Sequence, residues 1–501
     1  MSGLMNHYIG IDIGTSGCKA VIFDESGNQI SKAYREYDII SGNPGWAELD
    51  TDEVISGCFE VIREASSSVN PGTIRGIGIS SQGEAFTLLD RNGKALCNAL
   101  VSSDARANEL IRPWVDEFGE ERLYNITGHT PYPMFSLFKL LWVRRNMPEI
   151  WERAHRIMCF EDLLQCRLGI TNPSMGWSLA GRTMLFDVIR HEWNGEILQR
   201  SGIQKEMMSI PLSSGSPAGI VESSIARSLN LPDNTFVVTG GHDQPCSGLG
   251  AGAIMPGVAV YTSGTVECIT PAFSKPVMAG NLRESNLCTY DHVVPGMYAT
   301  VAFSLTGGNI LKWFRDEFGY EEKLLSEESG REAYELLIEK MPDEPSRLIV
   351  LPYFTPSGTP YFDVSVKGAI LGLDLTVKRE ELIRALLEGV AFEMRLNLEI
   401  LEQSGCPVNE LRIMGGGARS LKHVQLKADV IGMPITVLDV TEAGCMGVAM
   451  LARSYHKKDP VEKIAGEWIK PLARIEPVRS DHYNLKFQQY KKLYPMLKTF
   501  Y

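Results

Sequence analysis

Short runs of aliphatic and β-branched residues alternate along the chain with glycine-rich turns and with stretches of helical periodicity. Tyr8–Asp12 is an apolar run, Gly14-Thr15-Ser16-Gly17 a turn and Lys19–Phe23 a second apolar run. Two such runs joined by a glycine-rich turn read as a hairpin. Asp24–Asn28 makes the next turn, with a third strand after it. The arrangement returns at Gly257–Tyr261, Thr262-Ser263-Gly264-Thr265 and Val266–Thr270, about half a chain length further on. That spacing suggests a duplicated domain, with chance likeness of two hairpins as the plain alternative. Between the hairpins, Ile74–Ser80 reads as a strand, Ser136–Arg145 as a helix and Phe236–Gly240 as a strand ending at a Gly-Gly-His-Asp turn. In the second half, Thr376–Gly405 has helical spacing, as one long helix or two, with Thr376 placed to cap it and Gly405 to stop it. Strand Glu410–Met414, the turn Gly415-Gly416-Gly417 and a helix from Ser420 follow. The class is α/β. Small residues at 250–257 mark the boundary, giving domains 1–253 and 254–501.

Composition narrows the function classes. A chain of 501 residues with 44% hydrophobic and 22% charged residues is an ordinary globular protein of two or three domains. Its net charge of −12 opposes nucleic acid and anionic membrane surfaces, whereas a nucleotide can still bind through local amides and a cation. The ten cysteines form no C-x-x-C pair and the nine histidines no metal-ligand spacing, so reduced thiols are expected. With neither a leader-like start nor a run of 18 apolar residues, the expectation is a cytoplasmic enzyme with no membrane partner.

Four segments carry chemistry. Asp12 precedes a tight turn whose amides and hydroxyls suit phosphate oxygens, and a carboxylate beside a phosphate makes sense with Mg²⁺ between them. An ordinary hairpin with an Asp at its mouth is the plain alternative. Gly264-Thr265 supplies a second such turn, and two turns facing each other would grip a nucleotide tail from both sides. Gly415-Gly416-Gly417-Ala418, between strand and helix, allows a flat group such as adenosine to approach the backbone. A Rossmann reading is disfavoured because the G-x-G-x-x-G spacing is absent. Gly240-Gly241-His242-Asp243-Gln244 places a carboxylate in a glycine-rich turn, and phosphoryl transfer to an alcohol needs a group that accepts the hydroxyl proton. Asp243 fits that role, although an Asp in such a turn is more often a turn former.

Taken in order, IGIDIGTSGCKAVIFD, PGWAELD, MFSLFKLLWVRR, GGHDQPCSGLG, YTSGTVECIT, KGAILGL with LIRALLEGVAFE, MGGGARS and TEAGCMGVAMLA resemble the motifs of the FGGY carbohydrate kinases, which share the actin and Hsp70 fold class. The resemblance implies two actin-like (ribonuclease H-like) domains around a cleft, with MgATP bound mainly to the second and sugar to the first. It places Asp12 on Mg²⁺ with Asp243 close to the metal, Thr15, Ser16 and Lys19 near the phosphates, and Gly264 and Thr265 at the β- and γ-phosphates. Gly308, Gly416, Gly417 and Ser420 would line the nucleotide site, and Asp243 would be the base.

On the sugar side, SSQGEAF stands where xylulose kinases carry Gln-Met-His-Gly and glycerol kinases Gln-Arg-Glu-Thr. Gln82 matches both, Gly83 departs from both and Glu84 matches the glycerol-kinase Glu. LVSSDARANE resembles the Trp-Asn-Asp-x-Arg stretch of xylulose kinases, keeping Asp104 and Arg106 but with Ser102 at the aromatic position. The small residues at 83 and 102 are expected to open the pocket, against glycerol and toward a substrate that is larger or differently oriented. Gln82, Gly83, Glu84, Asp104, Arg106 and Gln244 are the expected substrate residues, suited to a neutral polyhydroxyl ligand. A ketose such as a pentulose is the expected substrate, with a polyol kinase, a sugar sensor and an actin-like ATPase as alternatives. Homodimers are common in the resembled family.

Overall fold

The computed structural model describes residues 5–500. Two mixed sheets repeat one plan. In the first, the spatial order is Gln29–Glu36, Gly17–Asp24, His7–Ile13, Ile74–Ser81, Phe236–His242 and Pro217–Ile220. The first three strands form an antiparallel meander, the middle three run parallel and the last edge strand is antiparallel. In the second sheet Ala302–Ser304, Glu267–Phe273, Val258–Ser263, Glu410–Met414, Ile435–Leu438 and Pro471–Ile475 repeat that order of senses. The duplication suggested by the hairpins therefore extends over whole sheets.

The halves meet through helices. Ala443–Lys457, late in the sequence, packs on strands His7–Ile13 and Ile74–Ser81 of the first sheet and against helix Asp243–Gly250. Glycine permits that approach: a Cβ on Gly10 would lie 1.8 Å from the Cys445 carbonyl oxygen, and one on Gly78 2.2 Å from that of Val448. Val448, Met450 and Leu451 of this helix are buried, each contributing about 1.5–3 kcal/mol of apolar burial. On the other face of the first sheet lies helix Thr51–Ser66, capped by the Asp50 carboxylate, which accepts from the amides of Asp52 and Glu53.

Three sequence expectations change. The segment read as one helix or two is a single helix, Arg379–Gln403, and Thr376 does not cap it: its hydroxyl donates to Asp374, so the helix starts three residues later. Gly405 does follow the last turn, with φ of 82°. The strand from Phe236 does not stop at Gly240 but runs to His242, and the supposed turn residue Asp243 opens a helix. Among the described residues, no helix is long and apolar enough to cross a membrane.

Candidate active site

The carboxyl ends of three parallel strands form the first wall of the cleft, the usual ligand edge of such sheets. Asp12 pairs in register with Ser80, whose hydroxyl donates to Asp12 Oδ1 at 2.8 Å. Burial raises the Asp12 carboxyl, and the Ser80 hydroxyl partly offsets it. Gln82 braces the first hairpin turn: its amide donates to the Gly14 carbonyl at 2.9 Å and accepts from the Thr15 hydroxyl at 3.2 Å. Ser16 is exposed in that turn. Lys19, expected near phosphates, lies within the field of Asp12, and its Nζ is 3.1 Å from the Glu442 carboxylate of the second half, which also holds Lys32.

Asp243 owes its position to a bulge. Thr239 pairs with Ile79 and Gly241 with Ser80, so Gly240 is an extra residue in its strand. Its N–H donates to Glu161 Oε1 at 2.8 Å and its carbonyl accepts from the Ser214 hydroxyl at 2.5 Å, which satisfies the backbone that the ladder leaves out. The other Glu161 oxygen accepts from the Gly176 amide at 3.0 Å. Past the bulge, the Asp243 side chain is 30% exposed. Burial, then the Asp12 and Glu84 carboxylates, raise it to about 7, against a hydrogen bond from Gln244. His242 Nδ1 lies 2.9 Å from the Tyr290 hydroxyl and its Nε2 3.2 Å from Asp243 Oδ1. Burial, then the Arg182 charge, keep the imidazole neutral by pushing its pKa well down.

The two other acids expected on the sugar side are both ion-paired. Glu84, at φ of 61°, is buried against Arg182, whose guanidinium also lies 5.1 Å from the Phe135 ring centre and 5.4 Å from that of Tyr290. The Glu84 carbonyl accepts from Ser136 at 2.9 Å and from Lys139 Nζ at 3.1 Å. Burial lowers that lysine to about 8. Asp104 is held by Arg106 at 2.7–2.9 Å and by the Ala47 amide at 2.8 Å, while Arg106 reaches Glu48 at 2.6 Å and stacks 3.7 Å over Trp46. The Asp104–Arg106 pair thus anchors the Trp46-Ala47-Glu48 segment, which explains the sequence PGWAELD. The space expected above Gly83 is filled: a Cβ there would lie 2.8 Å from His242 Cδ2. Sequence reasoning missed Arg182, Tyr290 and Glu161, which no local pattern connects with Glu84 or Asp243.

The second wall holds a cavity of about 520 Å³, lined by Gly264, Thr265, Gly308, Gly416, Gly417 and Ser420 together with Asn309, Lys312, Tyr334, Leu387, Val390 and His423. Six expected nucleotide residues from three separate segments thus meet. The hairpin turn is tied to helix Gly308–Phe318, since the Gly308 amide donates to the Gly264 carbonyl at 2.8 Å and that of Asn309 to Thr265 at 3.2 Å. Below it, buried Glu267 accepts from Ser263 at 2.9 Å and Lys427 at 2.5 Å. Ser420 caps helix Leu421–Ile431. A Cβ on Gly417 would lie 2.1 Å from Ser263 Oγ, so Gly417→Val is expected to raise the KM for ATP by about tenfold while leaving that for sugar unchanged. Steady-state kinetics with each substrate varied checks this.

Asp12 and Asp243 are hard oxygen donors, the Asp12 charge is close enough to raise the Asp243 carboxyl, and among the described residues no three His, Cys, Asp or Glu side chains form a metal cage of their own. That donor set fits Mg²⁺, which takes one or two carboxylates and completes its shell with water and phosphate.

The sequence matches the model of the FGGY family of carbohydrate kinases, N-terminal domain, over residues 7–250, and that of the C-terminal domain over 259–454. A xylulose kinase of Bacillus subtilis (strain 168) is 26% identical over 501 residues, covering 99% of this chain and 97% of that protein. An autoinducer-2 kinase of Enterobacter sp. (strain 638) is 30% identical over 465 residues, covering 89% and 86%. The crystal structure of a xyloylose kinase from Brucella ovis superposes with a TM-score of 0.89 at 27% identity, covering 99% of this chain and 100% of that one. Two sheets of one plan, a cleft between them and both family models in order lead to one conclusion: the chain belongs to the FGGY family of carbohydrate kinases, which use ATP to phosphorylate a sugar hydroxyl.

Proposed function

We propose that this kinase phosphorylates a terminal hydroxyl of a small ketose, a pentulose of the xylulose type, with Asp243 as the base. The observation that carries the reading is the Asp243 carboxylate, open to the cleft at a helix start and raised to about 7 by burial and by Asp12 and Glu84. A carboxylate of that basicity can take the hydroxyl proton as the oxygen attacks the γ-phosphorus in line. With 1–253 and 254–501 as the two domains, the nucleotide occupies the 520 Å³ cavity, its phosphates directed to Gly264, Thr265 and the Gly14-Thr15-Ser16 turn. Mg²⁺, held by Asp12 with Asp243 alongside, supplies charge neutralisation of the phosphates. Closing the two walls on the sugar keeps water from competing as acceptor.

The names of the relatives, xylulose kinases and autoinducer-2 kinases, support a ketose or ketose-like acceptor. A polyol kinase is the second reading, favoured by Glu84 at the glycerol-kinase position, although Arg182 neutralises that carboxylate. Retention of both Asp12 and Asp243 argues against a sugar sensor, which needs neither. The test is coupled ADP release across pentuloses, hexuloses, aldoses, gluconate and four- to six-carbon polyols. The highest kcat/KM is expected for a pentulose, and a polyol ahead of every ketose overturns the ketose reading.

A further inference from the structure

We propose that His242 is the positioning residue for Asp243, holding one carboxylate oxygen so that the other faces the substrate hydroxyl, and that residue 83 is glycine to admit its imidazole. The inference rests on the reading of Asp243 as the base.

The imidazole and the backbone that carries it are both held. The ring Nδ1 lies 2.9 Å from the Tyr290 hydroxyl, and the His242 backbone amide donates to the Ser178 hydroxyl at 3.1 Å. Its far edge fills the space in which a Cβ at position 83 would sit, 2.8 Å from Cδ2 and 2.9 Å from Nε2. The ring is buried, at 5% exposure, so it has one orientation and one set of partners. Nε2 then stands 3.2 Å from Asp243 Oδ1.

The proton's place follows from the partners. As the base, Asp243 is ionised and only accepts, so the His242 nitrogen facing it is the donor, and the Tyr290 hydroxyl is the ring's other partner, 2.9 Å from Nδ1. The chain Tyr290 to His242 to Asp243 occupies one lone-pair side of Oδ1 and leaves Oδ2 for the substrate. A base held in one rotamer loses less freedom on reaching the attack geometry, which is where a positioning group acts on kcat rather than on nucleotide binding. The contact ties the turn that carries Gly83, just past strand Ile74–Ser81, to the end of strand Phe236–His242.

Four variants test this: His242→Ala, His242→Gln, Gly83→Ala and the double variant His242→Ala with Gly83→Ala. Each is assayed with MgATP and D-xylulose, replaced by the sugar of the panel that gives the fastest ADP release, and each is melted without substrate. His242→Ala is expected to lower kcat about tenfold or more with the KM for ATP unchanged. His242→Gln, whose amide nitrogen reaches the place of Nε2, recovers most of the loss. Gly83→Ala is as slow as His242→Ala because it displaces the ring, and it lowers the melting temperature only while the imidazole is present. The double variant is no slower than His242→Ala alone. The proposal is overturned if His242→Ala keeps kcat within about twofold, if His242→Gln is as slow as His242→Ala, if the two losses multiply, or if Gly83→Ala lowers the melting temperature equally in both backgrounds. Asp243→Asn separates the two readings. Loss of activity there with a fast His242→Ala sinks the positioning role alone, whereas an active Asp243→Asn sinks the base.

Discussion

Asp243→Asn is expected to reduce sugar-dependent ADP release by about a thousandfold, within the range that a general base contributes, while ATP binding stays close to that of the parent. The amide keeps the volume of the carboxylate at the start of helix Asp243–Gly250 but cannot take the proton. The cavity proposed for the nucleotide is built from other segments, at 263–267, 307–312, 332–338, 387–390 and 416–423, so calorimetric ATP affinity is the control. Turnover within tenfold of the parent would end Asp243's assignment. The pH profile follows from the same charges. As the proposed base, Asp243 must be ionised to act, and because its folded value is raised, activity is expected to fall on the acid side. Glu84→Gln removes one of the two carboxylates that raise it, so the acid limb of kcat/KM moves to lower pH. Stability runs the other way: the contribution of a carboxyl raised on folding is complete below its unfolded value near 4 and is lost as pH rises through about 7.

The second large effect is expected at Arg182, a residue with no chemistry of its own in the transfer. Arg182→Met leaves the Glu84 carboxylate buried without its cation, and breaking a buried pair from one side costs about 3–5 kcal/mol. The melting temperature drops accordingly, and sugar turnover with it, because Glu84 and Gly83 share the turn that borders His242. The double variant Arg182→Met with Glu84→Gln recovers a large part of the stability, since the buried carboxylate that lost its cation is gone. Equal losses in the single and double variants would show that the contact of Arg182 with the Phe135 and Tyr290 rings, rather than the ion pair, is what the fold requires. Comparing the two melting curves decides between these causes.

The charged segments show what a motif leaves out. Asp104 and Arg106 were legible as residues kept from the resembled family, and the fold adds that they bind each other, Glu48 and the Ala47 amide. Gly83 was legible as a departure from relatives, and an absent side chain reads as free space in one dimension. In three dimensions His242 comes from a strand 159 residues later and fills it.

What the sequence by itself determined is the set of local devices. The two hairpins, the glycine turns at 14–17, 264 and 415–417, and the α/β alternation all depend on neighbours within a few residues, where turn chemistry and periodicity act. Their order along the chain also determined the family. Only the tertiary structure decided what each charged or polar group faces. Lys19 joins Glu442 across the halves, Glu84 joins Arg182, and Glu161 holds the bulge that aims Asp243. These partners lie tens to hundreds of residues apart, and a buried charge takes whichever opposite charge or backbone amide the fold brings to it, because burial without a partner costs more than any local preference supplies.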